Sequence, residues 1–298
     1  MMKKNVRISS VNRHLLPQEP ALVTHRQQAL TKQFLVPLGA DLEQYFLAMR
    51  AETDQALAPL LGKHPVKPYP EGRCTEISCD VLGRLQRRMQ HPKHPVECAL
   101  VAFVRRGGII RQVWGALRER YFQSAFQFGA LYVDVSNDTV FATKPKVEIL
   151  PMADSGLLAV ADLPHFARIA ESYWGVTIYA NHALPALAPI MPMISHAGGK
   201  FSVLPGCDYM IELILRSGFE TARNWLVSGP PLPGELLEQL HQRGPFGTSE
   251  VICDGGQAAL AACKTAREAG AHCDPTWRTA RVAEYLALRL SDSQVDSN

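Results

Sequence analysis

An α+β fold is expected from the 298-residue chain, with N-terminal helices packed on a small antiparallel sheet and a largely helical C-terminal half. Three features predict it. Apolar residues recur at helical spacing over residues 24–61 and again from Cys74 onward. A segment centred on Gly129 alternates as a hairpin does. Most of the patterned segments beyond residue 200 return to helical spacing. With 47% apolar and 20% charged residues, the chain has the composition of one that buries a core, not of a disordered one.

In THRQQALTKQFLVPLGADLEQYFLAMRAETDQALAPLL (24–61), Leu42, Tyr45, Phe46 and Met49 share a helical face, with Asp41 and Glu43 in the first turn. Pro37 and Gly39 separate this helix from a shorter one before it. GKHPVKPYPEG then forces an extended connection, because proline restricts both itself and the residue ahead of it. The helix beginning near Cys74 carries Ile77, Val81, Leu82, Leu85 and Met89 on one face and Arg84, Arg87 and Arg88 largely on the other, and QHPKHP ends it. From 96 to 147 the character changes, through VECALVAFV and GGIIRQVWG to YFQSAFQFGALYVDVSNDTVF. The last places Phe122, Ser124, Phe126 and Phe128 on one side of a hairpin, with Asn137-Asp138 at the exit of its second strand. KVEILPM reads as a further strand.

DLPHFARIAESYWG is expected as a helix capped by Asp162, with Phe166, Ile169 and Tyr173 inward, and VTIYA as a short strand. Past the proline-rich ALPALAPIMPMI, DYMIELILRSGFETARNWLVSG, PGELLEQLHQRG, QAALAACKTAREAG and DPTWRTARVAEYLALRL read as helices, and EVICDGG as strand and turn. A break between 150 and 162 divides a 1–150 region carrying Cys74 and Asp134 from a mixed, mostly helical 151–290 region. The polar tail at 291–298 is expected to be disordered.

A net charge of +3 from 31 basic and 28 acidic residues gives no dominant field, so nucleic-acid binding is not expected. No segment approaches the ~18 to 20 unbroken apolar residues of a membrane span, and the basic N-terminus has no apolar leader core. Seven cysteines at irregular spacing, with no C-x-x-C, suggest neither a disulfide framework nor a thiolate zinc site. A cytoplasmic protein without a cofactor is the expectation, and its substrate or partner is not specified by the sequence.

PYPEGRCTEISCDVLGRLQRRM (68–89) carries the sharpest candidate. A cysteine in a first helical turn sits near unpaired N–H groups and the positive end of the helix dipole, both of which favour thiolate. A histidine base and an orienting carboxylate complete such a site. G-R-C-T-E-I-S opening a helix, followed by a hairpin whose second strand reads L-Y-V-D-V, resembles the transglutaminase-like and arylamine N-acetyltransferase branches of the papain-like cysteine superfamily. The resemblance covers residues 68–138. It implies Cys74 as nucleophile, Asp134 as orienting carboxylate, and cysteine-dependent acyl transfer or amide/ester hydrolysis. The family's histidine belongs on the first strand of the hairpin, yet residues 119–125 read ERYFQSA. Gln123 is the nearest polar side chain there, and glutamine accepts no proton at neutral pH. Three alternatives stay open: a base from elsewhere (His91 and His94 are nearest in sequence), a related scaffold that binds a ligand or partner without thiol catalysis, or a chance likeness. In the plainer reading Cys74 is a small core filler, Asp134 a strand-end residue and Glu76 a first-turn acid.

HPKHPVE (91–97) has His-x-x-His-x-x-Glu spacing, so His91, His94 and Glu97 form a minor metal-site candidate. Pro92 and Pro95 argue instead for a solvated loop. His272-Cys273-Asp274 lacks the downstream histidine of an iron triad. His182 and His196 flank the proline-rich segment as candidate pocket residues. VICDGGQAALAAC has neither a dinucleotide fingerprint nor a Walker lysine.

Overall fold

The computed structural model describes residues 15–61, 68–242 and 255–295. Helix α1 (His25–Phe34) starts where the Thr24 hydroxyl accepts from Gln27 N–H. A short turn at Pro37 and Gly39 leads into α2 (Ala40–Leu61). Then come α3 (Cys74–Gln90) and α4 (Pro95–Arg105). The start of α4 departs from the loop expected at 91–97. Pro95 occupies the first helical position, where its missing N–H costs nothing. Glu97 and His94 bond each other's backbone as a capping box.

Strands β1 (Ile110–Leu117), β2 (Tyr121–Phe128), β3 (Leu131–Asp134), β4 (Glu148–Pro151) and β5 (Leu157–Leu158) form one antiparallel sheet in the order β4-β3-β2-β1-β5. The β2–β3 hairpin turns on Gly129-Ala130, as the alternation predicts, with Gly129 at φ 59°. Alternation along β2 sorts its side chains. Phe126 and Phe128 join Phe46, Ile77, Val81 and Leu100 in a core between the sheet and α2–α4. Ala125 lies on the other face with Val113 and Tyr132. Burial of Ile77, Val81 and Leu85, each at most 1% exposed, contributes roughly 1.5–3 kcal/mol per side chain. That burial fixes α3, and with it Cys74, against the sheet.

Beyond β5, helix α5 (Leu163–Trp174) is capped by Asp162, whose carboxylate accepts from His165 N–H. Strands β6 (Thr177–Ala180), β7 (Met193–Ala197) and β8 (Lys200–Leu204) form a second antiparallel sheet, followed by α6 (Asp208–Arg216), α7 (Glu220–Ser228), α8 (Gly234–Gln242), α9 (Gly255–Glu268) and α10 (Pro275–Val295). Helices and antiparallel sheets together make the fold α+β.

Several sequence expectations are corrected. DYMIELILRSGFETARNWLVSG is two helices, because Gly218 (φ 58°) and Phe219 (φ 66°) turn the backbone into the left-handed region. Helix α10 continues to Val295, past the start of the expected tail. The strand expected in EVICDGG lies outside the described residues. Residues on both sides of 150–162 share one core: Ala116 and Phe122 of the first sheet lie in it with Phe166 of α5 and with Ile194 and Met210 further on. Among the contacts that join the two sides are the β1–β5 pairing, a Phe122–Phe166 stack at 5.0 Å and a Trp114–Tyr209 contact at 5.3 Å.

Gly115 makes the β5 pairing possible, since a Cβ there would collide with the Leu158 carbonyl. Gly115→Ala is therefore expected to push β5 off β1 and to lower stability by about 1–3 kcal/mol. Chemical denaturation checks this, and an unchanged midpoint contradicts it.

Candidate functional site

Cys74 is placed by a tight turn, by α3 and by the end of β3. Residues 68–73 fold back on themselves: Glu71 N–H donates to Pro68 O and Arg73 N–H to Pro70 O, at 2.9 and 3.1 Å. Gly72 N–H donates to Thr139 O at 2.9 Å, tying the turn to the segment that follows β3. Strand β3 pairs with β2 only as far as Phe126↔Val133. The Ser124 backbone just beyond is taken up by side chains. Its carbonyl accepts from the Ser78 and Ser136 hydroxyls, both at 3.1 Å, and its N–H bonds the Cys74 sulfur.

Cys74 is half-buried and lines a cavity of about 580 Å³. Trp114, Phe122, Phe166, Tyr173 and Trp174 form its aromatic side, and Cys207 and Tyr285 line it from the second half of the chain. Trp114 and Phe122 stack at 5.0 Å, and Trp174 packs against both Phe122 and Phe166. Such a wall presents flat apolar surface to the cavity. Trp174 keeps 39% of its surface open, so the wall includes a large aromatic residue not yet covered.

Gln123 and Asp134 are brought together. Gln123 Nε2 donates to Asp134 Oδ2 at 2.8 Å and to Ser136 O at 3.1 Å. Asp134 also accepts from the Tyr132 hydroxyl (3.0 Å), from Ser136 N–H (2.8 Å) and from the Ser136 hydroxyl (3.1 Å). Strand alternation puts the pair on the Tyr132 face of the sheet, while α3 covers the Phe126 face. The thiol and the amide–carboxylate pair thus lie on opposite faces of the hairpin, near the end of β3. Gln123 Oε1 is buried and has no hydrogen-bond partner among the described residues.

The electrostatics reverse the thiolate expected at this helix start. Burial pushes the Cys74 thiol up to about 11; the Asp134 and Glu76 charges add to the rise, against hydrogen bonds from Ser124 N–H and Thr75. Desolvation of the anion outweighs the helix terminus. Burial likewise raises the Cys207 thiol to about 11. No described residue lining the cavity is a histidine.

Burial raises Asp134 from its ordinary 3.8 to about 6, in spite of its hydrogen bonds. The native state therefore holds this proton more tightly than the unfolded chain. The associated stability is fully present below the unfolded value and is lost as pH rises through about 6. A gap of about two pH units is worth roughly 3 kcal/mol. Asp134→Asn is expected to flatten the fall in stability across that window, measured by urea unfolding at successive pH values; an unchanged slope contradicts it.

The other candidates disperse. Glu97 accepts from Lys93 and His94 N–H and from the Tyr45 hydroxyl, and His94 Nδ1 accepts from Val96 N–H. These groups are used in capping α4, and no group of three or more potential metal ligands occurs among the described residues. His182 Nε2 bonds Leu226 O, and His196 stacks on Phe201. Neither His91 nor His94 lines the Cys74 cavity. No described helix is long and apolar enough to cross a membrane.

Sequence reasoning missed the cavity's far wall. Tyr173 was expected inward, but Trp174 and Cys207 carried no signal beyond an aromatic pair closing a helix and a cysteine opening one. Comparison of the chain with protein-family models, with curated proteins and with solved structures finds no match.

Proposed function

We propose that the chain is a ligand-binding protein whose aromatic-walled cavity takes a small apolar or aromatic molecule against the neutral Cys74 thiol. The observation that carries this reading is the 580 Å³ cavity itself, on which the Cys74 thiol, six aromatic side chains and Cys207 converge. A scaffold kept for binding fits the resemblance to the papain-like superfamily, since Gln123 is bonded to Asp134 on the face opposite the thiol. A fluorescence titration with the neutral aromatic probe N-phenyl-naphthylamine tests it. Saturable quenching of tryptophan emission, with parallel protection of Cys74 from alkylation, is expected. Absence of both removes the reading.

A second reading is favoured by the Ser124 N–H at the sulfur: cysteine-dependent acyl transfer or hydrolysis. The Cys74 sulfur would bond the carbonyl carbon of an activated ester, the alcohol would leave with the thiol proton, and water or an amine would later take the acyl group. Incubation with p-nitrophenyl acetate distinguishes it. A stoichiometric acetyl group on the Cys74 peptide supports acyl transfer, and an unmodified peptide leaves binding alone.

A further inference from the structure

A second cavity, of about 470 Å³, shares Glu71, Gly72 and Tyr173 with the first. The two therefore meet around the turn ahead of Cys74. Their linings differ. The first sets its aromatic wall beside Arg73, Thr75 and Ser202, with Arg73 already paired to Glu76 at 3.0 Å, whereas the second adds Arg120, Tyr121, Thr139 and Ser172 beside Val140 and Phe141. Cations near it in sequence or space are engaged: Arg118 bonds Ser155 O and Glu148, and Lys144 bonds the Tyr121 hydroxyl and lies over the Tyr121 and Phe141 rings. Arg120 is exposed and has no ion-pair partner among the described residues. Its place is nonetheless fixed. The β1–β2 turn that carries it is pinned on one side by Arg118–Glu148 and on the other by Glu119, which accepts from Arg168 at 2.6 Å. Arg120 N–H closes the turn onto Leu117 O at 3.1 Å. Glu71 lines both cavities and brings a carboxylate acceptor to their shared side.

We propose that the joined cavities bind an acid whose apolar or aromatic body enters the Cys74 cavity, whose N–H linkage is accepted by Glu71 on the shared side, and whose acid group is held by Arg120. N-acylated amino acids and peptide-like acids are the class this order of groups selects. The inference rests on the ligand-binding reading of the Cys74 cavity and deepens it. A guanidinium holds a carboxylate by a paired, charge-assisted contact that an ester cannot reproduce.

Dansyl-aminohexanoate and its methyl ester carry the aromatic body and N–H in common and differ in the acid. Dansyl fluorescence is followed on titration, together with protection of Cys74 from iodoacetamide. The acid is expected to bind about tenfold tighter than the ester, which corresponds to one charge-assisted contact. Arg120→Ala removes that preference, and Arg120→Lys keeps part of it; thermal melts verify that both variants fold. Equal affinity of acid and ester for the wild-type protein, with Cys74 protected, overturns this inference and leaves the cavity reading standing. Equal weakening of acid and ester by Arg120→Ala also overturns it. If neither compound binds or protects Cys74, both this inference and the reading it rests on fall.

Discussion

Asp138→Ala is expected to lower the stability of the protein by about 3–5 kcal/mol, seen as a sharply lower urea midpoint. Arg50 on α2 is 0% exposed. Its guanidinium donates to Asp138 Oδ1 and Oδ2 at 2.7 and 3.1 Å, to Val135 O at 2.8 Å and to Asp54 at 2.7 Å. Burial works against the charged guanidinium, and the bonds from Asp138 and Asp54 outweigh it. Arginine cannot shed its proton to escape an unpaired site. Removing Asp138 therefore leaves a buried charge short of its two-pronged partner, whereas replacing both partners by apolar residues costs less. The effect reaches the site. Asp138 precedes Thr139, whose carbonyl accepts the Gly72 N–H ahead of Cys74. The variant should thus expose Cys74 to alkylation at denaturant concentrations where the wild-type protein protects it. A loss below about 1 kcal/mol would place the pair with ordinary surface ion pairs and contradict the account.

Asp134→Asn is expected to accelerate alkylation of Cys74 about tenfold at pH 8. Burial is the first cause of the raised thiol, and the Asp134 charge adds to it. Above about pH 6 that carboxyl is ionised. Removing a fully buried negative charge, poorly screened by solvent, lowers the thiol pKa. Below the pKa the alkylation rate follows the thiolate fraction, so a fall of about one pH unit is tenfold in rate. Glu76→Gln should do much less, because Glu76 is largely solvated and already paired with Arg73 at 3.0 Å. Rates are read from the Cys74 peptide by mass spectrometry, since Cys79, Cys98 and Cys273 are exposed and react independently. A rate that is unchanged or lower in Asp134→Asn contradicts the electrostatics described.

Local chemistry made much of this legible in the sequence. The Gly129 hairpin, the helix opening at Cys74 and the Asp162 cap each follow from residues within a few positions of one another. The α4 capping box was missed: His94, Pro95 and Glu97 were all visible, but the two prolines pointed to a loop and the spacing to a minor metal site, and only the Tyr45 hydroxyl on Glu97 and the bonded backbone N–H groups exclude both. Strands β7 and β8 were hidden because the prolines around them mask alternation, and their pairing is set by burial of Ile194 and Val203 in a core assembled from distant segments. The Gln123–Asp134 contact was foreshadowed by the hairpin. The thiol's environment was not, because a helix start predicts stabilisation of the anion, and burial, with the Asp134 and Glu76 charges adding to it, reverses that.

The sulfur of Cys74 rests uncharged beside an aromatic-walled cavity. The pH dependence of its iodoacetamide alkylation in the folded protein, followed on the isolated peptide, tests this most directly. The account predicts a rate that keeps climbing into strong alkali, with its inflection near the value of about 11, and a drop in that rate when an aromatic probe fills the pocket. A plateau reached below pH 8 would show a thiolate already formed at neutral pH, and would contradict it.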